Sequence, residues 1–294
     1  MLPSIPEFVS ADFVSAGHTS TAVSRQGVGS ILRRPSGAMG AALLAVAISV
    51  AVLSPILLKS DPLAITGPPL TPPSWTHLMG TDGLGRDLLS GVMHGAGSSL
   101  LIALCVGILA LLCGLVIGLT AGYGGGIVDD ILMRVTELFQ VLPRFFLVAV
   151  TVALFGPGLD RIVLALGLTS WPVLARVIRA EVVGVRHLDF VLATEALGAS
   201  QAHVLGRVLL PHVLPSVLVL LGLLLGQVLL IEASLGFLGL GDPGVMSWGL
   251  LAGQAQIFLR VAWWLSVFPG LAIMFTVIGF NLLADAVSSV YRPR

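Results

Sequence analysis

Six stretches of the chain stay apolar for the roughly 20 residues that a helix needs to cross a bilayer. They fall at 38–58, 98–121, 131–155, 162–178, 213–231 and 263–287. Each reads as a transmembrane helix, and the links between such helices are normally short. One link is not. Residues 179–211 carry Arg179, Glu181, Arg186, Asp189, Glu195 and Arg207, yet Leu192, Leu197, Val204, Leu205 and Val208 keep helical spacing. This pattern predicts a short helix presented outside the membrane to a soluble partner. The competing reading is a helix lying on lipid headgroups, which needs basic residues beside an apolar face. Residues 193–203 contain no lysine or arginine, and their centre is small: Ala196, Gly198, Ala199 and Ser200. Small side chains let another backbone approach closely, which favours docking into a groove.

Only 10% of the residues are charged, 56% are hydrophobic and the mean hydropathy is +1.02. Such a composition belongs to a polytopic, all-α membrane protein. The zero net charge says little, but the placement of cations sets orientation. Arg25, Arg33, Arg34, Arg134, Arg176, Arg179, Arg186, Arg207, Arg292 and Arg294 flank one side of the six spans. Lys59, Arg86, Arg161 and Arg260 flank the other. The expected organisation is therefore a cytoplasmic tail at 1–37, a first span at 38–58 and an extracytoplasmic loop at 59–97. A five-helix core at 98–287 follows, with its polar loop at 179–212 in the cytoplasm, and a cytoplasmic tail at 288–294. Residues 1–30 lack the basic start and apolar core of a signal peptide. Cys105 and Cys113 lie within one span and read as packing residues.

Several local features sharpen this outline. In the first loop, Thr81 or Asp82 is placed to cap a short helix carrying Arg86 and Asp87. Gly114, Gly118 and Gly122 put a strip of missing side chains on one helix face, inviting a close neighbour. Asp129 reads as a cap for the third span. Glu137 and Arg144, with Pro143 between them, are costly at membrane depth and should face protein or water. Two turns of one helix place them on roughly one side, where they form an ion pair or, with Gln140, line a polar conduit. Glu232 ends the fifth span, before a glycine-rich segment that reads as re-entrant or interfacial. Trp248, Trp263 and Trp264 fit an aromatic belt at the membrane surface.

Catalytic chemistry is missing from the sequence. With Lys59 as the single lysine, a phosphate-binding Gly-x-x-x-x-Gly-Lys-Ser/Thr loop is impossible. No His-Glu-x-x-His or paired-cysteine motif offers a metal site, and no serine stands in a nucleophile elbow. The expectation is a chain without cofactor, metal or nucleic-acid partner, dependent on an outside energy source.

Residues 192–211 resemble the cytoplasmic signature of the permease subunits of binding-protein-dependent ABC importers. That signature runs Glu-Ala-Ala, three residues, Gly, nine residues, Ile-x-Leu-Pro. Leu192-Ala193-Thr194, Gly198 and Val208-Leu209-Leu210-Pro211 keep the spacing, with Leu192 and Thr194 as departures. Glu195, one turn beyond Leu192, is placed to supply the missing carboxylate. Gly80-Thr-Asp-Gly-Leu-Gly-Arg-Asp87, residues 121–130, Gly156-Pro-Gly158, Trp171-Pro172, residues 235–241 and Phe268-Pro-Gly270 extend the resemblance, most closely to the peptide and nickel importer group. The N-terminal span with its long loop is similar to the second of the two permeases in such systems.

The resemblance implies a type I ABC importer permease fold with six transmembrane helices in the bacterial inner membrane. It implies a heterodimer with a second permease, two ATP-binding subunits and an extracytoplasmic substrate-binding protein. Ala193, Glu195, Ala196, Gly198, Ala199, Ser200, Leu210 and Pro211 are then the ATPase-coupling residues. Glu137, Gln140 and Arg144 are candidates for the substrate pathway. The implied cargo is a di- or oligopeptide, with nickel or another small solute as the alternative. A carrier driven by ion binding at Glu137 or Asp285 is the rival mechanism, though no inverted repeat supports it.

Overall fold

The computed structural model describes residues 28–58, 61–141 and 143–291. The tail containing Arg25, together with Lys59, Arg292 and Arg294, lies outside the described residues. A short α1 (Val28–Leu32) precedes α2 (Pro35–Leu57), which begins with proline in its first turn, where no amide hydrogen is missed. The chain continues through α3 (Leu88–Gly124), α4 (Gly126–Val141), α5 (Arg144–Phe155), α6 (Leu159–Val185) and α7 (Asp189–Ala196). Then come α8 (Gln201–His203), a π turn (Val204–Leu209), α9 (Leu210–Phe237), α10 (Trp248–Ala255), a 3₁₀ turn (Gln256–Phe258) and α11 (Trp264–Tyr291). No strand forms among the described residues, only two isolated bridges joining Ile65 to Arg86 and Thr81 to Asp87.

Among the described residues, five helices are long and apolar enough to cross a membrane. A sixth span exists only if α4 and α5 count as one, and they are bent by 72° at their junction. The expected straight helix over 131–155 is thus two helices. Pro143 lacks an amide hydrogen and its ring crowds the preceding turn, which disfavours a continuous helix at this point.

Two other spans start earlier than their apolar runs. The loop expected at 59–97 ends at Asp87, whose carboxylate accepts the Ser90 amide at 2.9 Å and starts α3 there. No helix forms around Arg86. Instead the Asp82 carboxylate accepts the amides of Leu84 and Arg86, each at 2.8 Å, in a tight turn. Likewise α8, the π turn and α9 form one rod, Gln201–Phe237, beginning well before residue 213. At ~1.5 Å per residue, the 37 residues of α3 reach about 55 Å, well beyond the hydrocarbon core.

The main core joins α3, α5, α6 and the 201–237 rod. Val106, Leu166, Leu174, Ile178 and Val217 are fully buried in it. The glycine strip of α3 meets α6 as its spacing predicts. A Cβ on Gly114, Gly118 or Gly122 would stand 2.7–2.8 Å from Leu174, Ala175 or Val182. A second cluster at the other end of α3 gathers Leu88, Val92, Met246, Leu251 and Trp264.

Candidate functional site

The segment between α6 and the 201–237 rod folds as a short projecting helix. Leu188 is extended at its N-terminus, and Asp189 places a negative charge in the first turn, where the helix dipole favours it. The helix ends in a Schellman turn: Gly198 donates to the Glu195 carbonyl at 2.9 Å, and Ala199 donates to that of Thr194 at 3.3 Å. Gly198 has φ +83°, a conformation that glycine adopts without strain. Ser200 is extended, and its hydroxyl accepts the His203 amide at 3.3 Å to open α8. A glycine and a serine thus reverse the chain within a few residues. A Cβ at Gly198 would meet nothing within 4 Å. Within this chain, then, the backbone turn requires the glycine and crowding does not.

Three contacts hold α7 to the body. Val191 is fully buried in the main core. The Phe190 ring stacks on His212, with centroids 5.0 Å apart. The Tyr123 hydroxyl, in the last turn of α3, donates to Oε1 of Glu195 at 2.7 Å. Glu195, placed to supply the carboxylate absent at Leu192, is exposed and accepts the Tyr123 hydroxyl through one of its two oxygens. Ala193, Ala196, Gly198, Ser200 and Pro211 are exposed, while Ala199 and Leu210 are half-buried against the main core. Leu192 and Leu197 also face outward, Leu197 at 89% exposure.

Beneath α7 the helix ends are fastened together. Arg186 donates to the Gly122 carbonyl at 2.9 Å, satisfying an orphan acceptor at the end of α3. Arg179 grips Asp129 through both carboxylate oxygens, at 2.6 and 2.5 Å, in the fork geometry that guanidinium groups favour. Asp129, expected as a cap, therefore lies within the first turn of α4 and joins that helix to α6. A cleft of about 650 Å³ lies between these elements, bordered by Tyr123, Arg186, His187, Leu192, Glu195 and Gln201.

The three candidate pathway residues do not meet. Glu137 faces Arg134, one turn away, in an exposed pair 3.5 Å apart. Such pairs contribute little. Arg144 opens α5 beyond the bend, so the expected pairing with Glu137 is not formed. Gln140 instead accepts from Arg176 at 2.8 Å and borders a second cleft, of about 520 Å³, with Glu181. Sequence reasoning did not bring Arg176 and Glu181 together with Gln140. Their signal was charge in an otherwise apolar helix.

The opposite end of α3 holds a buried network that the sequence also concealed. Glu232 is 4% exposed and accepts from Ser247 at 2.7 Å and from Ser99 at 3.4 Å. Ser99 in turn accepts the Trp248 amide at 3.1 Å. The indoles of Trp248 and Trp264 are buried and donate to the carbonyls of Val92 and Thr81, at 2.9 and 3.2 Å. They do not form a surface belt. Only Trp263 of the three is exposed.

Long apolar helices with a small helix projecting between two of them make this a multi-pass membrane protein of transporter type. The chain belongs to the family of binding-protein-dependent transport system inner membrane components, whose pattern it matches over residues 114–294. It is a translocation subunit and not a catalytic one. It is 36% identical over 232 residues to a di/tripeptide transport system permease protein of Pseudomonas aeruginosa, covering 76% of this chain and 77% of that one. It is 34% identical over 251 residues to a dipeptide transport system permease protein of Bacillus subtilis, covering 83% and 78%. Among solved structures, an inward-facing form of the MetNI methionine ABC transporter contains a chain of the same fold. That match has a TM-score of 0.57 at 19% identity and covers 70% of this chain and 98% of the other.

Proposed function

We propose that this chain is one permease of an ATP-driven importer for di- or oligopeptides, paired with a second permease and supplied by an extracytoplasmic binding protein. Its similarity to two peptide permeases over three-quarters or more of its length supports the cargo class. In this reading both termini are cytoplasmic, and α7 with its following turn docks on an ATP-binding subunit. The observation that carries the docking role is the exposure of Ala193, Ala196, Leu197, Gly198 and Ser200 on the segment between α6 and the 201–237 rod. Arg179, Arg186 and Arg207 stand at that same end, as a cytoplasmic side requires.

ATP binding and hydrolysis then shift the balance between inward- and outward-open arrangements. They do so only through contacts that differ between the two states. Ion-coupled transport through Glu137 or Asp285 is not favoured, because the chain belongs to the binding-protein-dependent family.

Ala196→Trp tests the docking role, since Ala196 is exposed and the indole clashes only with a docked partner. Membrane insertion should persist while copurification with the ATP-binding subunits and transport are lost. Normal copurification and transport would refute the docking assignment.

A further inference from the structure

We infer that Tyr123 and Glu195 form the tether through which movement of α7 reaches α3. The inference rests on α7 being the docking element. Among the described residues, the Tyr123–Glu195 bond is the one side-chain hydrogen bond joining α7 to a distant part of the chain. Its partners are 72 residues apart. The other anchors act differently. Val191 supplies nondirectional packing, and Phe190 stacks on the rod that follows directly in sequence. A cleft of about 650 Å³ lies beside the bond, bordered by residues of both helices. Beside the covalent link through residues 186–188, a displacement of α7 therefore reaches α3 through this directional contact.

What lies behind Tyr123 makes the contact effective. The end of α3 is locked to α6 by Arg186 at the Gly122 carbonyl and by the near backbone contact of the glycine strip. The Arg179–Asp129 pair then fastens α6 to α4. A pull on Glu195 acts on a block of three helix ends, whereas the chain leaving α7 passes into a π turn at Val204–Leu209. Such turns often mark functional irregularities in helices. Tyr123 and Glu195 are thus positioning residues. Neither needs to touch nucleotide or cargo.

The test uses the complete importer in proteoliposomes with its binding protein, reading peptide transported per ATP hydrolysed beside copurification of the ATP-binding subunits. Tyr123→Phe and Glu195→Ala should each lower the transport-to-hydrolysis ratio about 3- to 10-fold, the range for a lost hydrogen bond. The ATP-binding subunits should still copurify. Combining the two should cost no more than either alone, since both remove one interaction. Glu195→Gln keeps an acceptor oxygen and should stay within about twofold of the parent ratio. A Tyr123→Phe variant with an unchanged ratio overturns the tether. So does a Glu195→Gln variant as impaired as Glu195→Ala, which would assign the carboxylate to the ATPase surface and leave docking intact. Loss of copurification in Tyr123→Phe also overturns it, making the bond part of the docking surface.

Discussion

The Leu88 end of α3 and the α7 segment beside its Gly124 end are anchored on opposite principles. At the Leu88 end, the buried Glu232 carboxylate is hydrogen-bonded and backbones touch. Glu232, Ser99, Ser247 and Trp248 form one hydrogen-bonded cluster, and Gly236 lies so close to Gly249 that a Cβ would come within 2.2 Å of its carbonyl carbon. At the Gly124 end, α7 is held by one buried valine, one ring stack and one hydrogen bond, and it exposes the rest of its surface. Dense burial makes an element move with its neighbours. Sparse anchoring lets it respond to a partner. The difference assigns stiffness to the Leu88 end and responsiveness to α7, as the docking role proposed for α7 requires.

The comparison breaks first, and hardest, at Gly236. Gly236→Ala would drive a methyl group into the Gly249 backbone, and backbone yields less readily than a side-chain tip. Overpacking of this kind costs about 3 kcal/mol. The detergent-solubilised protein should melt well below the parent in a thermal shift assay, or fail to accumulate. A melting temperature equal to the parent's would mean that the Leu88 end is not tightly packed.

Glu232→Leu should rank next. It keeps the volume but leaves the Ser247 and Ser99 hydroxyls without their buried acceptor. The penalty is about 2 kcal/mol. Glu232→Gln retains one acceptor oxygen and should melt between the parent and the leucine variant. If leucine proves as stable as glutamate, the cluster is not a structural pin.

These contrasts also mark what could be read from the residues alone. Apolar runs located the spans because hydrocarbon selects for them directly. They misplaced the starts of α3 and of the 201–237 rod because caps set those starts, and the caps at Asp87 and Ser200 lie outside the apolar runs. Pro143 was visible, but whether it bends or breaks a span depends on what packs around it. The indoles of Trp248 and Trp264 need an acceptor whether they sit in a headgroup belt or in a core. Periodicity cannot tell those cases apart. Glu195 was correctly placed on the projecting helix, yet its partner Tyr123 lies on a helix brought near only by the fold. Ala196, Gly198 and Ser200 were legible as small residues and are exposed, whereas Ala199, read with them, is half-buried because the turn after α7 folds it back on the core.

The smallest stability effects are expected at the α7 end, where they separate turn geometry from docking. Gly198→Ala forces a Cβ into the positive-φ region and should cost about 1 kcal/mol, although no neighbour is near. Leu197→Asp should cost less still. Its side chain is 89% exposed, and substitutions at such surfaces usually stay within about 0.5 kcal/mol. The order should reverse when copurification of the ATP-binding subunits is measured. Leu197→Asp puts a charge at the centre of the proposed contact, where it must be desolvated, so binding should fall sharply in an otherwise normally folded protein. Gly198→Ala adds only a methyl group and should bind more nearly like the parent. Should Leu197→Asp retain the ATP-binding subunits while Gly198→Ala loses them, the shape of the turn rather than the apolar face would carry recognition.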